Sequence, residues 1–229
     1  MKIIALLFML AVALPAAERA RTCRILFPGG PQQAAGKYYL FDGKSSQEVS
    51  LPRLSLSPVY KLAAGDVKIR LLTAPVLKPE DIPAGAPEID VSADVRDIYL
   101  LVSDHPDNKV LPLKLGVVNA NEDKIRLGEM QWFNLTQKHL AGKVGKSSLN
   151  LSANSSALVN EPASSAGDYP VEIYFRVPGD ERTHPLIEGQ WYHDPRSRFL
   201  VFVYDDGNRR APRVMSVSDF RPPEEKEEK

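Results

Sequence analysis

Four histidines (His105, His139, His184, His193) and one cysteine (Cys23) are the residues of this chain whose chemistry is most versatile. A metal site wants them at spacings such as His-x-His or His-Glu-x-x-His, and a hydrolase wants a nucleophile with a base in reach. None of the four histidines has a metal-site spacing; His184 and His193 bracket a loop and would meet on a metal only through tertiary structure. Asp104-His105 and His193-Asp194 set an acid beside an imidazole, in surroundings that suit solvated loop residues. There is no Gly-x-Ser-x-Gly and no phosphate-binding glycine loop, and Asp205-Asp206-Gly207-Asn208 lacks the continuation of a calcium loop. The reading is a protein that is not an enzyme, with no catalytic residue, no metal and no cofactor.

Aromatic residues offer a different chemistry. Trp132, Trp191 and Tyr192 could form a stacking platform for sugar rings, which makes polysaccharide a candidate partner. Core packing is the stronger reading, because Trp132 within Met130-x-Trp132 has the pattern of an inward-facing strand residue. A second candidate is the Pro-rich stretch from Ala74 to Pro87, where Lys78, Glu80 and Asp81 present a mixed-charge surface suited to a protein partner. It is the longest irregular insertion and has no counterpart in the second half, so its shortening is expected to abolish partner capture and spare stability.

These residues need a scaffold, and the chain reads as strands. Arg198 to Tyr204 is a nearly unbroken apolar and aromatic run, the mark of a strand buried on both faces. Asp97 to Asp104 is a similar phrase, 101 residues earlier from Ile98 to Phe199. Leu54-Ser55-Leu56-Ser57 is echoed by Leu149-Asn150-Leu151-Ser152, 95 residues later; both are placed at the rim of a sheet. Short strands punctuated by 19 prolines and 14 glycines indicate an all-β fold, an antiparallel β-sandwich of immunoglobulin-like kind. Two similar halves, 24–120 and 121–220, are expected to pack together, with Ala120 to Asp123 too short for free motion. Phe27 to Pro31 reads as an irregular lead-in that also takes in Cys23, and 221–229 as a disordered charged tail.

Lys+Arg and Asp+Glu both number 29, so there is no basic excess to neutralise phosphates and nucleic acid is not an expected partner. Lys2 followed by the apolar run Ile3 to Leu14 and by Ala16-Ala17 has the form of a signal peptide over 1–17. That run is too short to span a bilayer, and no later stretch approaches the length of a membrane helix. The protein is therefore expected to be exported, to the periplasm, cell envelope or exterior. Three Asn-x-Ser/Thr triplets, at Asn134, Asn150 and Asn154, would be glycan acceptors only in a eukaryotic secreted protein.

Gly128-x-Met130-x-Trp132-Phe133-Asn134-Leu135-Thr136, with Gly145, Leu149-Asn150-Leu151, Trp191 and Arg198 to Phe202, resembles exported bacterial β-sandwich proteins of uncharacterised function. The resemblance covers residues 95–220 and carries no catalytic residue. What it implies is an envelope or surface protein that acts through protein–protein contact, with glycan binding through exposed aromatics as the alternative and a hydrolase without identifiable catalytic residues as the third reading.

Overall fold

A computed structural model describes residues 21–28, 36–180, 182–205 and 211–220; the signal-like segment and the charged tail lie outside the described residues. The first half supplies β1 (Arg21–Leu26), β2 (Tyr38–Phe41), β3 (Ser46–Val49), β4 (Tyr60–Leu62), β5 (Val67–Leu72), β6 (Glu88–Val91), β7 (Asp97–Asp104) and β8 (Leu113–Asn119). The second supplies β9 (Met130–Asn134), β10 (His139–Val144), β11 (Ser147–Leu151), β12 (Ser155–Val159), β13 (Gly167–Arg176), β14 (Thr183–His193), β15 (Ser197–Tyr204) and β16 (Arg213–Phe220). Among the described residues the only helical element is a 3-10 turn at Pro79–Asp81, so the fold is all-β.

Strand pairing repeats. The first half forms an inner sheet β4-β1-β7-β8 and an outer sheet β3-β2-β5-β6; the second forms an inner sheet β12-β9-β15-β16 and an outer sheet β11-β10-β13-β14. Adding eight to each first-half strand number reproduces both second-half orders. The parallel pairs recur as well, β1 with β7 and β9 with β15, in otherwise antiparallel sheets. This order differs from the immunoglobulin one, in which the first strand joins the second, fifth and fourth; here the first strand lies between the fourth and the seventh.

Side-chain alternation stacks the sheets. On β1, Cys23 and Ile25 enter a core shared with the first outer sheet, while Leu26 faces the other way. On β7, Ile98, Leu100 and Val102 join that same core, and Tyr99 and Leu101 face the second half. On β15, Phe199, Val201 and Val203 pack toward the second outer sheet, and Leu200, Phe202 and Tyr204 toward the first half. The layers therefore run outer, inner, inner, outer. β7 and β15 read as continuous apolar runs because each is covered on both faces.

Two expectations need correction. Cys23 and its neighbours form no irregular lead-in: β1 is a central strand and Cys23 is fully buried, its thiol pushed up to about 12 by burial, with the nearby Asp97 adding to the rise. The pairing that makes β1 a strand joins Cys23 to Ile98, far along the chain, and leaves no local signal. The Leu-x-Leu-Ser echo is not an architectural repeat either. Leu149 to Leu151 lie in the edge strand β11, whose counterpart is β3, whereas Leu54 to Ser57 belong to the connection between β3 and β4.

The inner sheets meet around Leu26, Tyr99, Ile125, Leu200, Phe202, Met215 and Val217, and a charged network is sealed beside them. Asp219 is fully buried; it accepts the Tyr99 hydroxyl at 2.5 Å and pairs with Arg24. Arg198 donates through Nη1 to Asp97 Oδ2 at 2.9 Å and to the Ala120 carbonyl at 2.8 Å. The registers make these positions equivalent between halves. Asp97 precedes Ile98 on β7 as Arg198 precedes Phe199 on β15, and Ala120, bonded to Asp97 O, stands where Asp219 stands opposite Arg198. Asn121 fixes the connection that follows, accepting from the Arg96 and Asp97 N–H groups and donating to Asp94 O.

Candidate functional site

The second outer sheet has one wet face and one free long edge. Along β13, Tyr169, Val171, Ile173 and Phe175 point into the core, and Asp168, Pro170, Glu172 and Arg176 point out, with Tyr174 half-exposed among them. Strict alternation of this kind follows from the period-two geometry of a strand with one face dry. Gly142 of β10 lets the backbones approach closely; a Cβ there would lie 1.9 Å from the Glu172 carbonyl oxygen. β14, the outermost strand, is eleven residues long and mostly exposed, with a bulge opposite Ile173 and Tyr174.

A cleft of about 560 Å³ opens where β10 begins, β11 ends and β13 turns into β14. Gln137, His139, Ser152, Arg176, Pro178 and Asp180 line it. Asp180 is already occupied: Arg182 binds its two oxygens through Nε and Nη2 at 2.9 to 3.2 Å and also donates its backbone N–H. That pairing, the Arg182 side chain first, holds the Asp180 carboxyl well below its ordinary range. Lys138 is committed to Asp205 at 2.7 Å. His139 Nε2 lies 2.6 Å from Asn150 Oδ1. Arg176 sits across from His139 in the β10–β13 register and has no carboxylate partner among the described residues.

The aromatic candidates separate. Trp132 is fully buried and stacks on the half-buried Trp191 at 5.7 Å with rings 5° apart, so the pair packs into the core of the second half. Tyr192 is 60% exposed at the end of β14. The three are adjacent in space and form no flat platform, because Trp191 and Tyr192 point to opposite faces of one strand.

Lys78, Glu80 and Asp81 are exposed on the 3-10 turn, beside Leu77, which is 91% exposed. Their loop is nevertheless a packed element: Val76, Ile82 and Ala86 cover Phe41 and Leu72. Asn108 from the β7–β8 connection donates to Gly85 O at 3.0 Å. A crevice of about 120 Å³ remains beneath it.

His193 is not a solvated loop residue. It ends β14, is buried against Tyr169 edge-on at 6.4 Å, and among the described residues has no hydrogen-bond partner for Nδ1. Burial lowers its pKa, against the opposing pull of Glu161 and Asp194. Asn134, one of the three triplet asparagines, is buried too and donates to the Lys138 and Ser152 carbonyls, which shapes the turn behind the cleft.

Among the described residues no group of three or more His, Cys, Asp or Glu side chains is placed to hold a metal ion, and no helix is long and apolar enough to cross a membrane. Arg176 and Tyr174 were not singled out in the sequence, and His139 only as a histidine without metal-site spacing. The signal that could have found them is the alternation of Tyr169 to Arg176, which predicts a wet face; which strands flank that face is a matter of tertiary pairing. No protein-family model matches the chain, and no curated protein matches it.

Proposed function

We propose that this is an exported, non-catalytic β-sandwich protein of the cell envelope or surface, and that it holds another protein through the free edge of β14. The observation that carries the reading is the length of that edge. β14 pairs with β13 on one side over its length and is the last strand of its sheet, eleven residues long, while the other edge strands run from three residues in β4 to eight in β16. An exposed strand edge presents a row of N–H and C=O groups on which a partner strand can add. Pro185, Glu188 and Gly189 interrupt the edge and disfavour indiscriminate pairing, which is what a selective contact needs. The many charged side chains tied up in structural pairs, among them Arg24, Asp97, Arg198 and Asp219, support a scaffold role.

A photo-cross-linking residue at Gln190, introduced into the full chain in the organism that makes it, tests the contact. Cross-linking to a distinct protein from Gln190, and none from Ser148 on the opposite edge strand, is the expected result. Equal cross-linking from both sites, or none from Gln190, overturns it. Export is checked by N-terminal sequencing, which should show the loss of roughly the first 16 to 20 residues.

A further inference from the structure

We infer that the strand received by β14 is an antiparallel, amphipathic one from a different protein, with a lysine or arginine beside Glu188 and a large apolar side chain beside Gly189. This rests on the edge contact proposed above and names the chemistry of the partner that the edge selects.

The register decides which backbone groups are open. Pro170 O accepts from the Gly145 N–H, so Pro170 turns its backbone toward β10. Backbone direction alternates along an antiparallel strand, so Val171 turns to Gly189 and Ile173 to Ile187. The N–H and C=O groups of Glu188, Gln190 and Tyr192 then face outward, where no strand among the described residues pairs with them. Side chains of these three lie on the wet face, and those of Ile187 and Trp191 on the core side with Gly189 between them.

Each face selects a different side chain. On the wet face Lys143, Glu172 and Glu188 form one cross-strand row over β10, β13 and β14. Its charges run plus, minus, minus, and the row stops at the open edge. Like charges directly opposite each other are destabilising. Neither carboxylate is in an ion pair among the described residues. The Tyr174 phenol has its pKa raised by its hydrogen bond to Glu188 and by the charges of Glu188 and Glu172. A cation on an added strand would stand beside Glu188 and close the row with the opposite sign. A second copy of β14 does not supply one, since Thr183 to His193 holds no lysine or arginine.

On the core side, Ile187 and Trp191 are half-buried against the second-half core. Gly189 leaves a notch between them: a Cβ there would meet no atom within 4 Å. With Glu188 and Gln190 hydrogen-bonded to the new strand, Gly189 falls at a non-hydrogen-bonded pair, where opposed Cα atoms approach to about 4.5 Å. A large apolar side chain at that position fills the notch and covers both flanking residues.

The test uses the full mature chain and three short peptides of equal length with blocked ends, in which leucine alternates with lysine, glutamine or glutamate. Calorimetry should show the lysine peptide binding at least about tenfold more tightly than the glutamate peptide, with the glutamine peptide between them. Hydrogen exchange followed by NMR should show the amides of Glu188, Gln190 and Tyr192 slowed by the lysine peptide. Glu188→Lys should reverse the order of the lysine and glutamate peptides. Glu188→Gln should erase the preference, and serves if Glu188→Lys fails to fold. Gly189→Leu, which fills the notch, should weaken every peptide. The inference is overturned by no binding of the lysine peptide, by equal affinity for all three, by an unchanged order in the Glu188 variants, or by unchanged affinity in Gly189→Leu. If those three amides are slowed all the same, the edge contact stands without it; binding that leaves them exchanging freely overturns the edge contact as well.

Discussion

Removing the Asp219 carboxylate should cost more stability than any other single truncation of a polar side chain in this protein. Asp219→Ala removes two contacts at once between the inner sheets: the ion pair with Arg24, and the acceptor of the fully buried Tyr99 hydroxyl, which keeps Arg198 beside it. Breaking a buried ion pair by deleting one member costs roughly 3–5 kcal/mol, and the lost hydrogen bond of the hydroxyl about 1 kcal/mol. Arg24 retains the Ser57 carbonyl at 3.0 Å and about a fifth of its side chain is exposed, so water recovers part of the loss. The expected sum is about 3–4 kcal/mol. Urea denaturation should be followed by two probes. Both tryptophans lie in the second half, so fluorescence reports that half, while far-UV circular dichroism reports both. A drop below about 1 kcal/mol would refute the argument, since it would mean that the network is solvated and the sheets are not sealed there. Tyr99→Phe, which leaves Arg24 on Asp219, should cost only about 1 kcal/mol.

Base should unfold the protein in steps set by its buried acids. Cys23 and Tyr169 are both raised to about 12 by burial, and Tyr99 is raised further by burial and by Asp219. A raised folded-state pKa means stability present below the unfolded value and lost above it, so a pH-dependent melt should decline from about pH 9 upward, first through Cys23; a flat profile to about pH 11 contradicts this. Cys23 should also resist alkylation in the native state and react only on unfolding, as mass spectrometry would show. Trp132→Ala should cost about 3–5 kcal/mol while Tyr192→Ala stays within about 0.5 kcal/mol, as thermal or urea melts would record. Deleting 75–83 should destabilise the first half by at least about 1 kcal/mol, because Val76 and Ile82 pack on Phe41 and Leu72; unchanged melting would restore the view of the loop as a free appendage.

The charged contact between the halves has a consequence for assembly. Asp97 and Arg198 occupy equivalent positions and bind each other, so either half packed in this way on a copy of itself would set like charges together. Complementarity of this kind favours the mixed pairing through repulsion in the alternatives.

All-β character followed from the sequence alone, since alternation, prolines and turn glycines act over a few residues and exclude helices locally. The same holds for β7 and β15 as strands buried on both faces: an unbroken run such as Phe199 to Tyr204 has no polar side to turn to water. Tertiary structure alone decided three things. It made β1 central, because its parallel partner lies far along the chain, with Ile98 beside Cys23. It separated Trp191 from Tyr192, because adjacent strand residues face opposite ways and only one of those faces is covered by another sheet. It brought Arg176, His139 and Ser152 to one rim, because three connections from distant parts of the second half end at the same side of the outer sheet. Sequence order carries no trace of that meeting, since strand pairing over long separations leaves the local pattern of each strand unchanged.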